Sequence, residues 1–210
     1  MVSVGRRHDT LAVSFLLVCL TTSSFAGETW KPLFDGKTLD GWHPVGDGKW
    51  TVEDGVIVGR ADSEKLYGLL FSDGEFDDFD VRFKFKVVSG DSGFYIRTIF
   101  KDPDQAHGNQ VQVGHSGSGV GGIYESYGRG WIQKPTDAVQ RKIHKDDEWN
   151  QMAISAHGGE ITVHLNGVKT VDLEDDPGRR KGHFALQMHS GNVMHVMFKD
   201  IEMKVIDTKP

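Results

Sequence analysis

Short runs of alternating apolar and polar residues, cut at close intervals by glycine turns, restrict this chain to an all-β architecture. Along residues 80–87, Val81, Phe83, Phe85 and Val87 alternate with Arg82, Lys84 and Lys86. Along 160–165, Ile161, Val163 and Leu165 alternate with Thr162 and His164. Asn166-Gly167 follows, and both residues tolerate positive φ, so a type I′ hairpin into a strand over 168–173 is predicted. Residues 50–60 predict a second hairpin, turning at Glu53-Asp54-Gly55. With 26 glycines against 6 prolines, turn signals recur throughout, as in a β-sandwich or barrel. No stretch sustains helical periodicity. Residues 134–147 are expected to form a long loop with a single helical turn.

The N-terminus belongs to a different kind of segment. Arg6 and Arg7 precede an apolar run over 11–20, and Ser24-Phe25-Ala26 places small residues where a signal peptidase cuts. A signal peptide over 1–26 is expected, because the apolar run is too short to span roughly 30 Å of hydrocarbon. Val18 before Cys19 fits a lipoprotein box poorly, so no lipid anchor is expected. Residues 27–210 then form one domain in the periplasm or outside the cell. Cys19, the single cysteine, leaves with the leader, so the mature chain forms no internal disulfide. The formal charge is −6 with no basic stripe, which argues against nucleic acid and anionic membranes as partners. No later segment is apolar enough to span a membrane.

Three predicted strands carry an unusual polar face. Over 93–100, Phe94, Ile96, Thr98 and Phe100 share one side, and Tyr95 and Arg97 the other. Over 109–113, Val111 and Val113 oppose Gln110 and Gln112. Over 183–189, Phe184, Leu186 and Met188 oppose His183, Gln187 and His189. Solvent faces are usually Lys, Glu and Thr. Forked donors and acceptors with a flat aromatic ring instead suit the hydroxyls and weakly apolar faces of a carbohydrate.

The order of short motifs resembles the 3-keto-disaccharide hydrolase family across nearly the whole mature chain. The motifs run from Leu33 to Trp42 (LFDGKTLDGW) and from Trp50 to Gly55 (WTVEDG), then through Ser92-Gly93-Phe94-Tyr95-Ile96-Arg97 and Val111-Gln112-Val113. Gly122-Ile123-Tyr124, Glu148-Trp149-Asn150, Leu165-Asn166-Gly167 and Leu186-Gln187-Met188-His189 follow. The resemblance implies a concanavalin A-like, laminin G-like jelly roll of two antiparallel sheets, acting on glycosides oxidised at carbon 3. Five positions depart from the family pattern. Gln110 stands where a glutamate is usual, His115 where an acidic residue is common, Asp91 where asparagine is commoner, and Lys199-Asp200 where arginine-asparagine is usual. The change at 110 removes a natural base or metal ligand.

A ketone at carbon 3 acidifies the carbon-2 hydrogen, so cleavage needs a base, an oxyanion stabiliser and an acid for the leaving group. A divalent ion could supply the stabiliser by polarising the ketone. The candidate catalytic residues are His189, as base or acid, Arg97, as electrophile, and Glu125, the carboxylate nearest a motif. The candidate substrate-binding residues are Tyr95, Gln110, Gln112, His115, Tyr124, Trp131 and Gln187. His115 lies in a glycine-rich stretch over 114–122 expected to be a flexible rim loop. Trp131 is the candidate aromatic platform. A noncatalytic carbohydrate-binding module is the alternative function.

Overall fold

A computed structural model describes residues 1, 29–191 and 193–205. The expected signal peptide over 1–26, and the mature start at Gly27, lie outside the described residues. In chain order the strands begin with β1 (Lys31–Pro32), β2 (Trp42–Gly46), β3 (Lys49–Glu53), β4 (Val56–Ala61) and β5 (Gly68–Phe76). Next come β6 (Phe79–Ser89), β7 (Ser92–Lys101), β8 (Gln105–Val113), β9 (Ile123–Ser126) and β10 (Gly130–Gln133). After helix α1 (Asp137–Ile143) follow β11 (Asn150–His157), β12 (Glu160–Leu165), β13 (Val168–Leu173), β14 (Gly182–Met188) and β15 (Met194–Val205).

The strands make two antiparallel sheets packed face to face, a jelly roll. The back sheet runs β13-β12-β11-β6-β15-β4-β3, with β1 beside β15; the front sheet runs β10-β9-β8-β7-β14-β5-β2. Alternation explains which side of each strand is buried. Val81, Phe83 and Phe85 of β6 face inward, while Arg82 pairs with Glu202 and Lys84 with Asp200 on the outer surface. Phe94 of the front sheet stacks on Phe83 of the back sheet at 4.3 Å, and Phe184 meets Phe79 edge-on at 4.8 Å. Burying each such ring contributes roughly 1.5–3 kcal/mol. Ile96, Val163, Leu165, Leu186 and Met188 close the same core.

Both predicted hairpins form. Asn166 (φ 49°) and Gly167 (φ 81°) turn β12 into β13, and Asp54 (φ 49°) and Gly55 (φ 80°) turn β3 into β4. The helical turn expected within 134–147 is α1, capped by the Thr136 hydroxyl, which accepts from the Val139 amide. Among the described residues no helix is long and apolar enough to cross a membrane.

The face expected for Arg97 is corrected by the structure. β7 pairs with β8 in register as far as Ile96 opposite Asn109, then resumes with Ile99 opposite His107. Two residues of β7 therefore face one of β8, a β-bulge, and Arg97 sits in it at φ 48°. The bulge inverts the side-chain phase beyond it. Phe100, expected on the core side with Phe94, instead meets Phe71 on the outer face of the front sheet. Arg97 turns the other way and crosses to the back sheet, only 1% exposed. Its guanidinium donates to Asp77 O (2.7 Å), Gly158 O (2.7 Å), Ala156 O (3.1 Å) and Asp78 Oδ1 (3.0 Å).

Candidate functional site

The outer face of the front sheet holds a cavity of about 850 Å³. Its floor is built by outward-facing side chains of β14, β7, β8, β9 and β10. Tyr95 on β7 is directly opposite Gln110 on β8, which is opposite Tyr124 on β9, which is opposite Trp131 on β10. Gln112 and Gln187 occupy neighbouring positions on β8 and β14, and both line the cavity. Tyr95, Gln110, Gln112 and Gln187 come together because each lies in a stretch where alternation is unbroken, whereas Trp131 sits at a register shift of β10.

Hydrogen bonds lock the floor into two connected groups. In one, Gln187 Nε2 donates to the Tyr95 hydroxyl (3.1 Å), which bonds Ser126 Oγ (2.9 Å). Tyr67, from the loop before β5, closes this group beside Gln187 and Tyr95. Burial pushes the Tyr67 phenol up to about 12 and raises the Tyr95 phenol as well, so both stay neutral donors at any working pH. In the other group, Gln110 Nε2 donates to Gln112 Oε1 (2.7 Å), and Gln112 Nε2 donates to both Asp91 oxygens (2.7 and 2.9 Å). Gly93 makes this possible: a Cβ there would stand 2.4 Å from Gln110 Cγ, which lies across its backbone.

Two polar atoms at the cavity are buried without a hydrogen-bond partner: Gln187 Oε1, on a residue 4% exposed, and Ser118 Oγ. A buried, unpaired acceptor is costly unless something satisfies it. Both atoms belong to side chains that line the cavity.

The rim is aromatic and charged. Trp131, 40% exposed, meets Tyr124 edge-on at 5.4 Å and lies against Gly119, where a Cβ would touch its ring. Tyr127 stacks on His107 at 4.2 Å. Glu125 lines the wall, but the Arg129 guanidinium and amide both hold it, and Arg129 also pairs with Asp176 at 2.6 Å. The Arg129 hydrogen bond keeps the Glu125 carboxyl below the usual range, which makes it a weak base. His189 lies at the edge next to Ser190, with Nδ1 donating to the Ser190 carbonyl; its Nε2 is the nitrogen left for proton transfer.

Two expected site residues stand elsewhere. Arg97 does not line the cavity, because the bulge carries it into the inter-sheet anchor described above. His115 is turned towards Asp146 (3.7 Å) and is also absent from the lining. Nor is its glycine-rich loop free. Buried Gln140 of α1 accepts from the Gly117 and Gly119 amides (3.0 and 2.9 Å), and Asp146 accepts from the Ser116 amide (3.0 Å). A side chain outside the strands thus tethers the loop.

Asp91, Tyr67 and Ser126 line the cavity without having been singled out from the sequence as site residues. Asp91 lies in the turn just before β7, where strand periodicity assigns no face. Its signal was the departure from asparagine before Ser92-Gly93. Among the described residues no group of three or more His, Cys, Asp or Glu side chains could hold a metal ion. The cavity's own carboxylates, Asp91, Asp104 and Glu125, do not assemble a cation cage.

The chain is a two-sheet jelly roll with a hydrogen-bonding cavity on one sheet. Within that class, the chain belongs to the 3-keto-alpha-glucoside-1,2-lyase-like domain family, the 3-keto-disaccharide hydrolases, whose model matches residues 29–204. No curated protein matches the chain. Its fold is similar to that of a candidate glycosyl hydrolase from Parabacteroides distasonis (24% identity, 85% of this chain and 100% of that one, TM-score 0.63). It is also similar to a Bacillus subtilis protein of unknown function with a galectin-like fold (13% identity, 79% and 90%, TM-score 0.61). A third likeness is to the carbohydrate-binding module CBM66 from Bacillus subtilis (17% identity, 78% and 95%, TM-score 0.51). At these identities the likenesses establish the fold.

Proposed function

We propose that the protein is an exported enzyme that cleaves 3-keto-glycosides by elimination across carbons 1 and 2, followed by addition of water. The observation that carries this reading is the cavity floor. Neutral phenols, amides and an unsatisfied buried acceptor share the cavity with the Asp91 carboxylate, in a chain matched by the lyase-like family over 29–204. Removal of the carbon-2 proton leaves an enolate whose charge sits on the carbon-3 oxygen. That oxyanion needs preorganised donors, and the Tyr67 and Tyr95 hydroxyls cannot ionise there to become competing anions. Collapse of the enolate forms the carbon 1–carbon 2 double bond and breaks the bond to the leaving oxygen, which takes a proton from His189. Water then adds to carbon 1 of the enone and completes a net hydrolysis.

The test is incubation of the secreted form, expected to begin at Gly27, with a 3-keto-disaccharide and its unoxidised parent, with and without a chelator. Release of the two sugars from the oxidised substrate alone is expected. Equal cleavage of both substrates, or retention of residues 1–26 on the soluble protein, would remove the corresponding part of the proposal. Binding of both sugars without turnover would identify a binding module of the kind CBM66 exemplifies. Trp131→Ala should raise KM about tenfold, roughly 1.4 kcal/mol, with kcat little changed, because its exposed ring contacts the sugar outside the reacting centre. A pure kcat defect would move Trp131 out of that role.

A further inference from the structure

We propose that Asp91 is the general base that takes the carbon-2 proton, an assignment that rests on the reaction proposed above. The carboxylates lining the cavity are Asp91, Asp104 and Glu125. Glu125 is neutralised by Arg129 and coupled through it to Asp176. Asp104 sits at the tip of the β7–β8 hairpin, on the wall. Asp91 stands at the end of the polar floor, within the amide chain from Gln110 through Gln112.

Its surroundings suit a base. Among the described residues no lysine or arginine pairs with Asp91. Its oxygens receive the Gln112 amide, and Oδ1 also receives the Ser92 backbone amide at 3.1 Å. Those neutral donors hold the carboxylate in one orientation without the proton-repelling effect of a cation. Burial holds its pKa above the usual carboxylate range, against the lowering by Gln112, Ser92, His189 and His115. A carboxylate desolvated in this way is a stronger base than one in water. Two unsatisfied acceptors lie within the same cavity. A Cβ on Gly114 would stand 2.4 Å from Ser118 Oγ and 2.5 Å from Asp91 Oδ1, so the glycine leaves the space both oxygens occupy. Gln187 Oε1 is free to fix a second hydroxyl of the ring. The ring is thus held by hydroxyl contacts while Asp91 Oδ takes the proton; the electron pair of the broken C–H bond passes into the enolate.

The linked stability effect has a definite sign. A carboxyl whose pKa is raised on folding stabilises the fold while protonated and loses that contribution as pH rises through the folded value. Replacing Asp91 with asparagine removes this cost above that pH and keeps an acceptor for Gln112. Asp91→Asn should therefore be at least as stable as wild type at neutral pH, with the advantage gone in acid.

The experiment compares wild type, Asp91→Asn and Asp91→Ala on a 3-keto-disaccharide in deuterated water, following sugar release and deuterium at carbon 2. Asp91→Asn should lose turnover more than 1,000-fold and lose the exchange at carbon 2, with its thermal midpoint retained. Added formate should restore part of the turnover of Asp91→Ala, which a structural role for the carboxylate would not allow. An active wild type with Asp91→Asn within tenfold of it overturns the assignment alone. An inert wild type overturns both the assignment and the reaction on which it rests.

Discussion

Arg97→Ala is expected to lower folding stability by about 3–5 kcal/mol, the cost of leaving a buried ionic network without one partner. The guanidinium makes four hydrogen bonds, three to backbone carbonyls and one to Asp78. Asp78 also accepts from the Gly158 amide at 2.8 Å, so the pair ties the bulge of β7 to the β5–β6 and β11–β12 turns. Removing the guanidinium leaves the Ala156 carbonyl without this donor in the buried part of the network and unties the Asp77 and Gly158 carbonyls at its exposed edge. Arg97→Lys should rescue little, because one ammonium cannot reach four acceptors laid out for a planar fork. Chemical denaturation measures the loss. Turnover per folded molecule should stay within a few-fold of wild type, since the residue does not line the cavity. An unchanged midpoint with turnover abolished would return Arg97 to the reaction.

The same residue shows where sequence and structure part. Alternation is a reliable guide as long as the ladder is regular, and for Tyr95, Gln110, Gln112 and Gln187 it is. Their strands run unbroken at those positions, so an apolar inner phase dictates a polar outer one. At Arg97 a single extra residue reverses the phase. The arginine pattern over 93–97 carries no mark of the bulge. Its traces lie far away, in Gly108 across the ladder and in Gly182, whose missing Cβ lets β14 approach the Arg97 and Thr98 carbonyl groups. Loops were less legible still. His115 and the 114–122 stretch read as flexible because glycine is abundant, whereas Gln140, more than twenty residues on, supplies the tether. Asp91 was visible only as an unusual residue before a motif. A turn has no period, so only the three-dimensional path shows that it delivers a carboxylate to the cavity. Glu125 was legible as a nearby carboxylate, but not Arg129 as the group that occupies it.

Gly93→Ala is expected to reduce turnover roughly 100-fold through geometry alone, the scale set by about an ångström of misplacement in an active site. Gly93 contributes no functional group, and its need is for space: an added Cβ would stand 2.4 Å from Gln110 Cγ and 2.5 Å from Gln110 Cδ. These are mid-chain atoms of a side chain 6% exposed, so the whole amide must leave its place. Gln110 then loses its bond to Gln112 Oε1, and Gln112 is no longer held to present its amide to Asp91. The overpacking should cost about 1–3 kcal/mol of stability. Adding Gln110→Ala to Gly93→Ala vacates the space, so stability should recover, while turnover stays low because Gln112 still lacks its orienting partner. Measured together, the denaturation midpoints and turnover numbers of the single and double variants separate crowding from loss of the amide chain. Full recovery of turnover in the double variant would show that Gln110 plays no part in setting the orientation of Asp91.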